Sequence, residues 1–89
     1  MKINRSSRFK RSFKKLPLHI QKDFDQKIKI FFNNVFHPSL HTHKLNGNLA
    51  DYYGFYLRDG FRVLFDFEEP NMVLLVNVGS HEDYKKWSQ

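Results

Sequence analysis

The sequence predicts an α+β domain: an N-terminal helical hairpin packed on a small antiparallel β-meander, followed by a short C-terminal helix. Three observations predict it. Apolar residues recur at helical spacing as far as Val35. From Tyr52 the period changes to two. Asp59-Gly60, a two-residue hairpin signal, then separates two runs rich in aromatic and β-branched residues.

Taken in order, residues 2–5 read as a short strand. Ser6 or Ser7 can cap a helix by accepting a hydrogen bond from an early backbone N–H. Phe9, Phe13 and Leu16 fall on one face of that helix, and Arg8, Lys10, Arg11, Lys14 and Lys15 occupy the rest. Pro17 interrupts it and suits the start of a second helix. Ile20, Phe24, Ile28, Phe31, Phe32 and Val35 keep helical spacing until Asn33-Asn34 and His37-Pro38 end it. Residues 36–51 lack a period and read as a connecting loop with a turn at Gly47. Tyr52–Leu57, Phe61–Phe67 and Met72–Val78 read as three strands, with Glu68-Glu69-Pro70-Asn71 as the second turn.

At 89 residues there is room for one domain, spanning 1–89, whose core must be dense in large apolar groups. Ten Phe, four Tyr and one Trp meet that need. The absence of cysteine excludes disulfides, thiolate metal sites and a thiol nucleophile. No apolar run approaches the roughly 20 residues of a membrane span, and the first residues lack a signal-peptide h-region. A soluble, cytoplasmic protein is expected. Lys and Arg outnumber Asp and Glu by 15 to 9, and the first acid is Asp23. Such a basic N-terminal field favours a polyanionic partner, through salt-sensitive contacts to phosphates. A solvated helix face is the plainer alternative.

If Asp59-Gly60 is the tip of a two-residue turn, Leu57 lies opposite Arg62. With a four-residue second turn, Phe67 lies opposite Met72 and Arg62 opposite Asn77. Directly opposed residues share a sheet face. One face then carries Tyr52, Tyr56, Phe61, Val63, Phe65, Phe67, Met72, Leu74, Val76 and Val78, as the core. The other carries Tyr53, Phe55, Leu57, Arg62, Leu64, Asp66, Val73, Leu75 and Asn77, with His81 brought near Arg62. This second face is half apolar and predicts either cover by the segment His81–Trp87 or a partner protein seated on it.

The C-terminal half carries a family resemblance. His43-Lys44-Leu45-Asn46-Gly47, then Gly60-Phe61-Arg62-Val63-Leu64-Phe65, then Val78-Gly79-Ser80-His81-Glu82-Asp83-Tyr84, resembles the RelE/ParE toxin superfamily and within it the YafQ- and YoeB-like mRNA interferases. The resemblance extends over nearly the whole chain, because a helical hairpin before a meander is also that family's architecture. It implies a toxin of a type II toxin–antitoxin system that cleaves mRNA on the ribosome through the ribose 2′-OH, without metal or cofactor. It also implies a cognate acidic antitoxin, expected on the sheet face with Phe55, Leu64 and Leu75. The alternative within the superfamily is a ParE-like inhibitor of DNA gyrase, which needs no acid–base pair.

Such cleavage needs a base for the 2′-OH, a cation for the phosphorane and an acid for the leaving 5′-oxygen. Arg62 interrupts an apolar strand, where an unpaired charge is costly. It matches the superfamily's arginine, and an ion pair with Asp66 is the structural alternative. His81 matches the interferases' terminal histidine, and His43 the one before Leu-x-Gly; either can be acid or base. Lys44 adds charge beside His43. His41-x-His43 lacks the carboxylates or cysteines of a metal site. Tyr84 can stack on a base, contact phosphate or anchor the last helix, and Trp87 reads as packing. Arg58 sits near the hairpin tip on the face opposite Arg62. Lys10, Arg11, Lys14 and Lys15 are candidates for ribosomal RNA phosphates. The chain departs from the family in having Tyr56 where many relatives carry a basic residue, and only Asp51 near the place of the YoeB-like glutamate.

Overall fold

The computed structural model describes residues 1–89. Strand β1 (Lys2–Arg5) leads into helices α1 (Ser7–Lys14) and α2 (Leu18–Asn33). A two-residue strand β2 (His43–Lys44) and the hairpin strands β3 (Tyr53–Tyr56), β4 (Arg62–Glu69) and β5 (Met72–Gly79) follow, and helix α3 (His81–Trp87) ends the chain. The sheet order is β1-β5-β4-β3-β2, with β1 parallel to β5 and every other pair antiparallel. The expected meander therefore gains a strand at each edge, and the segment read as a connecting loop contributes one of them. No helix is long and apolar enough to cross a membrane.

Ser6 resolves the capping choice for α1: its Oγ accepts from Phe9 N–H at 2.9 Å and donates to Val76 C=O at 2.7 Å, tying the helix start to β5. Pro17 takes the N-cap position of α2 without a side-chain cap, its C=O accepting from Ile20 and Gln21 N–H. The helical stripes pack as their spacing requires. Phe9, Leu16, Ile20, Phe24, Phe31 and Val35 are buried against one sheet face. Phe31 sits 4.8 Å from Phe55 and 4.9 Å from Phe65, ring centre to ring centre, within the range where aromatic pairs attract.

The register corrects the expectation in β3. Asp59 and Gly60 both adopt positive φ and form the tip, with Phe61 N–H donating to Arg58 C=O. Yet Leu57 N–H also donates to Phe61, so Leu57 and Arg58 together oppose one residue and the strand shifts by one. Tyr56, not Leu57, pairs with Arg62. Burial decides this. The shift places Phe55 and Leu57 in the core, at 0% and 4% exposure, worth about 3–6 kcal/mol together against about 1 for a hairpin hydrogen bond. The Arg58 N–H that the bulge releases donates instead to Asp23 Oδ2 of α2, at 2.8 Å.

The β4–β5 ladder holds two further irregularities. Glu69 pairs with Met72 across a tighter turn than expected, and Phe67 pairs with Val73, so Glu68 is extra on β4. Phe65 pairs with Leu75 but Leu64 with Asn77, so Val76 is extra on β5. Between these bulges Val73 and Leu75, rather than Met72 and Leu74, face the core. Val76 packs on the opposite side, while Asn77 Oδ1 accepts from Ser12 Oγ of α1 at 2.7 Å. Beyond Val76 the two bulges cancel each other, and the tighter turn leaves Arg62 opposite Gly79 rather than the expected Asn77, two residues along and so on the same face. Arg62 therefore keeps the face the sequence assigned to it.

That second face is not open. Leu64 is 5% exposed beneath Leu45, Leu49, Tyr84 and Trp87, while Phe55 and Leu75 lie at 0% in the main core. The patch expected to receive an antitoxin does not exist as a surface, because the register turned two of its three residues inward and α3 covers the third.

Candidate active site

The site grows from the ends of β2, β3 and β4. His43 pairs with Gly54 across β2–β3, and Tyr56, two residues further along, pairs with Arg62. Period-two alternation thus places His43, Tyr56 and Arg62 on one sheet face. The His43 and Tyr56 rings stack at 5.5 Å with a 20° interplanar angle. The Arg62 guanidinium carbon lies 4.8 Å from the Tyr56 ring centre and 4.6 Å from that of Tyr84, both within cation–π range.

Tyr84 arrives on α3, whose start is well defined. Ser80 Oγ accepts from Asp83 N–H, and Asp83 Oδ2 accepts from Ser80 N–H at 3.0 Å, a reciprocal capping box. Gly79 allows this close turn: a Cβ there would stand 2.7–2.8 Å from Asp83 side-chain atoms. The first residue of α3 is His81, and its Nδ1 lies 3.0 Å from Arg62 Nη2.

The hydrogen bonds of Arg62 leave part of it free. Nε–H and Nη2–H reach Gly60 C=O at 3.4 and 3.3 Å, and Nη2 also reaches His81. Nη1 has no partner, and no carboxylate pairs with the group. The ion pairs in the chain are His19–Asp59, Lys27–Asp23 and Lys85–Glu82. The Asp66 alternative is therefore not formed. A planar cation held by two rings, with one N–H edge free, suits a phosphate oxygen.

The two histidines are oriented in opposite senses. His43 Nδ1 lies 2.9 Å from His41 C=O, which can only accept, so Nδ1 carries a proton and in the neutral tautomer the lone pair is on Nε2. Arg62 can only donate, so His81 Nδ1 is the acceptor and its ring proton sits on Nε2. One ring offers a proton acceptor to solvent and the other a donor.

Of the residues singled out by sequence, His43, Arg62, His81 and Tyr84 converge. Lys44 is exposed on β2 but pairs with Tyr53, so alternation turns it to the face opposite His43. Arg58 stays exposed at the hairpin tip, and no hydrogen bond or ion pair links its side chain to the cluster. Lys10, Arg11 and Lys14 are exposed on α1 and Lys15 is exposed at its C-cap, and none of them hydrogen-bonds to Arg62. Lys15 lines a groove of about 380 Å³ beside α3, with Leu16, Phe61, Gly79, Ser80 and Trp87. Trp87 packs in the small cluster with Leu64, as expected. Tyr56 is the residue the sequence reading misplaced, since the expected register buried it in the core. The pairing of an aromatic with the strand arginine was visible only to a correct register.

No protein-family model matches the sequence, and no curated protein matches it. Solved structures do. A chain of the RelB–RelE antitoxin–toxin complex from Methanococcus jannaschii superposes with a TM-score of 0.78 at 17% identity, over 97% of this chain and 99% of that one. YafQ from E. coli gives 0.72 at 13%, over 92% and 94%, and the YoeB/ParE toxin from Agrobacterium tumefaciens 0.74 at 12%, over 91% and 99%. The fold is that of the RelE/ParE toxins. At these identities the likeness is one of backbone architecture, and the RelE-like scaffold here carries its own side-chain set around Arg62.

Proposed function

We propose that this protein is a toxin that cleaves mRNA on the ribosome, with His43, Arg62 and His81 as its catalytic residues. The observation that carries the reading is the unpaired Nη1 edge of Arg62, set among histidines whose free nitrogens have opposite roles. The shared fold with RelE, YafQ and YoeB proteins supports it.

In the proposed reaction His43 Nε2 takes the proton of a ribose 2′-OH as that oxygen attacks the adjacent phosphorus. Arg62 Nη1 holds a non-bridging oxygen as charge builds on the phosphorane. The bond to the 5′-oxygen breaks and that oxygen takes a proton, giving a 2′,3′-cyclic phosphate and a 5′-hydroxyl. While His81 Nδ1 accepts from Arg62, the ring holds a single proton. A phosphate that draws the guanidinium to itself frees Nδ1 to take a proton from solvent, and the imidazolium so formed gives its Nε2 proton to the leaving 5′-oxygen.

Net charge +6 and the α1 basic face support docking on ribosomal RNA, with Lys10, Arg11, Lys14 and Lys15 as phosphate contacts. They equally favour an acidic antitoxin as the silencing partner, by analogy with the complexed neighbour from Methanococcus jannaschii. A ribosomal substrate places the protein in the cytoplasm.

The test adds purified protein to programmed ribosomes and maps mRNA ends. Cuts that require ribosomes, end in cyclic phosphate and vanish in Arg62→Ala are expected. Intact mRNA together with linearised or over-supercoiled DNA would instead establish a gyrase poison.

A further inference from the structure

We infer that Tyr56 is a positioning residue that aligns His43 with Arg62, and that it neither contacts RNA nor transfers a proton. The inference rests on the nuclease reading and deepens it. Tyr56 projects from β3 between groups on the strands to either side, His43 from β2, stacked at 5.5 Å and 20°, and Arg62 from β4, at 4.8 Å, while the His41 ring meets it at 6.4 Å and 69°. A ring held between two such neighbours has no face left for a nucleobase. Its hydroxyl makes no hydrogen bond within the protein, so no neighbour holds it in place for a proton transfer. With Tyr84 on the far side of Arg62, the side chains form a continuous file: His43, Tyr56, Arg62, Tyr84.

The file has a purpose that a bare histidine and arginine would lack. His43 stands at the edge of the sheet on a strand of two residues, and its side chain is exposed. A single hydrogen bond, from its Nδ1–H to His41 C=O, would leave the ring free to swing about that contact. The Tyr56 face removes the remaining freedom. Catalysis is sensitive to this, since a misplacement of about 1 Å can cost about 10²-fold in rate. The same ring also holds the guanidinium against it, 4.8 Å from the ring centre.

Two substitutions separate the ring from the hydroxyl. Tyr56→Phe should cut ribosome-bound mRNA within about threefold of wild type. Tyr56→Leu should lower kcat about 10–100-fold with KM nearly unchanged, as expected for lost alignment rather than lost binding. NMR supplies a readout independent of cleavage: the His43 ring-proton resonances should lie upfield in wild type and Tyr56→Phe, and return to free-histidine positions in Tyr56→Leu.

A Phe variant as slow as the Leu variant would make the hydroxyl a catalytic group and overturn the inference. A raised KM with unchanged kcat would make Tyr56 an RNA contact, with the same consequence. Unshifted His43 resonances in wild type would overturn it without any variant having to fold. If wild type cuts no mRNA, the nuclease reading falls, and the His43 resonances still decide whether the alignment exists.

Discussion

The two faces of the sheet are built for different ends. The face under α1 and α2 holds a dry cluster of 14 buried residues, including Phe9, Phe24, Phe31, Phe55 and Phe65 at zero exposure. The face under α3 fully buries only Leu45, Leu49 and Leu64; Tyr52, Val76, Tyr84 and Trp87 pack on them half-buried, and beyond lie the stacked His43, Tyr56 and Arg62 side chains. Stability is concentrated on the first face, so the second can hold an unpaired arginine and two exposed histidines. A domain with a total stability of about 5–15 kcal/mol can place its chemistry only where packing is not at stake.

The sharpest way to break this comparison is to hollow the first face. Phe31→Ala should cost about 3–5 kcal/mol, seen as a lower urea midpoint at unchanged slope. A loss below about 1 kcal/mol would mean the core is not the structural base claimed for it. Next come His43→Ala and His81→Ala, each expected to slow mRNA cleavage about 10²-fold or more while moving stability by no more than about 0.5 kcal/mol. Thermal melts beside cleavage rates would show whether the two faces separate so cleanly. Ser80→Ala probes the seam between them. Losing the capping box should cost about 1 kcal/mol, confined to α3, with faster amide exchange there and weaker cleavage as His81 and Tyr84 lose their anchorage. The smallest effect belongs to Lys10→Gln with Lys14→Gln. Ribosome affinity should fall a few-fold, and the slope of its salt dependence should shrink by about one unit for each phosphate no longer neutralised.

Much of the first face was legible in the sequence, because a helical stripe is a local property. Phe9, Ile20, Phe24 and Phe31 declare themselves by spacing alone. Phe32 shows the limit: adjacent to Phe31 and equally apolar, it turns outward at 51% exposure. The second face was legible only in part. Arg62 and His81 stood out by chemistry and were brought together as expected. His43 was singled out, but its strand was not, since two residues carry no period. Tyr56 was misplaced for a reason outside its own neighbourhood. Its face depends on a bulge at Leu57–Arg58, which core burial drives and a carboxylate 35 residues away, on Asp23, completes.

The paired bulges of β4 and β5 constrain how this sheet can change over generations. One surplus residue on each strand, Glu68 and Val76, leaves the Arg62 end in phase. Deleting Val76 alone would carry the offset through to the end of the hairpin, turn the arginine's partner strand over by one side chain and point His81 away. Deleting both would restore the phase. Length variation in this hairpin should therefore be tolerated in compensating pairs, and a lineage that lost one residue would keep its scaffold while forfeiting its chemistry.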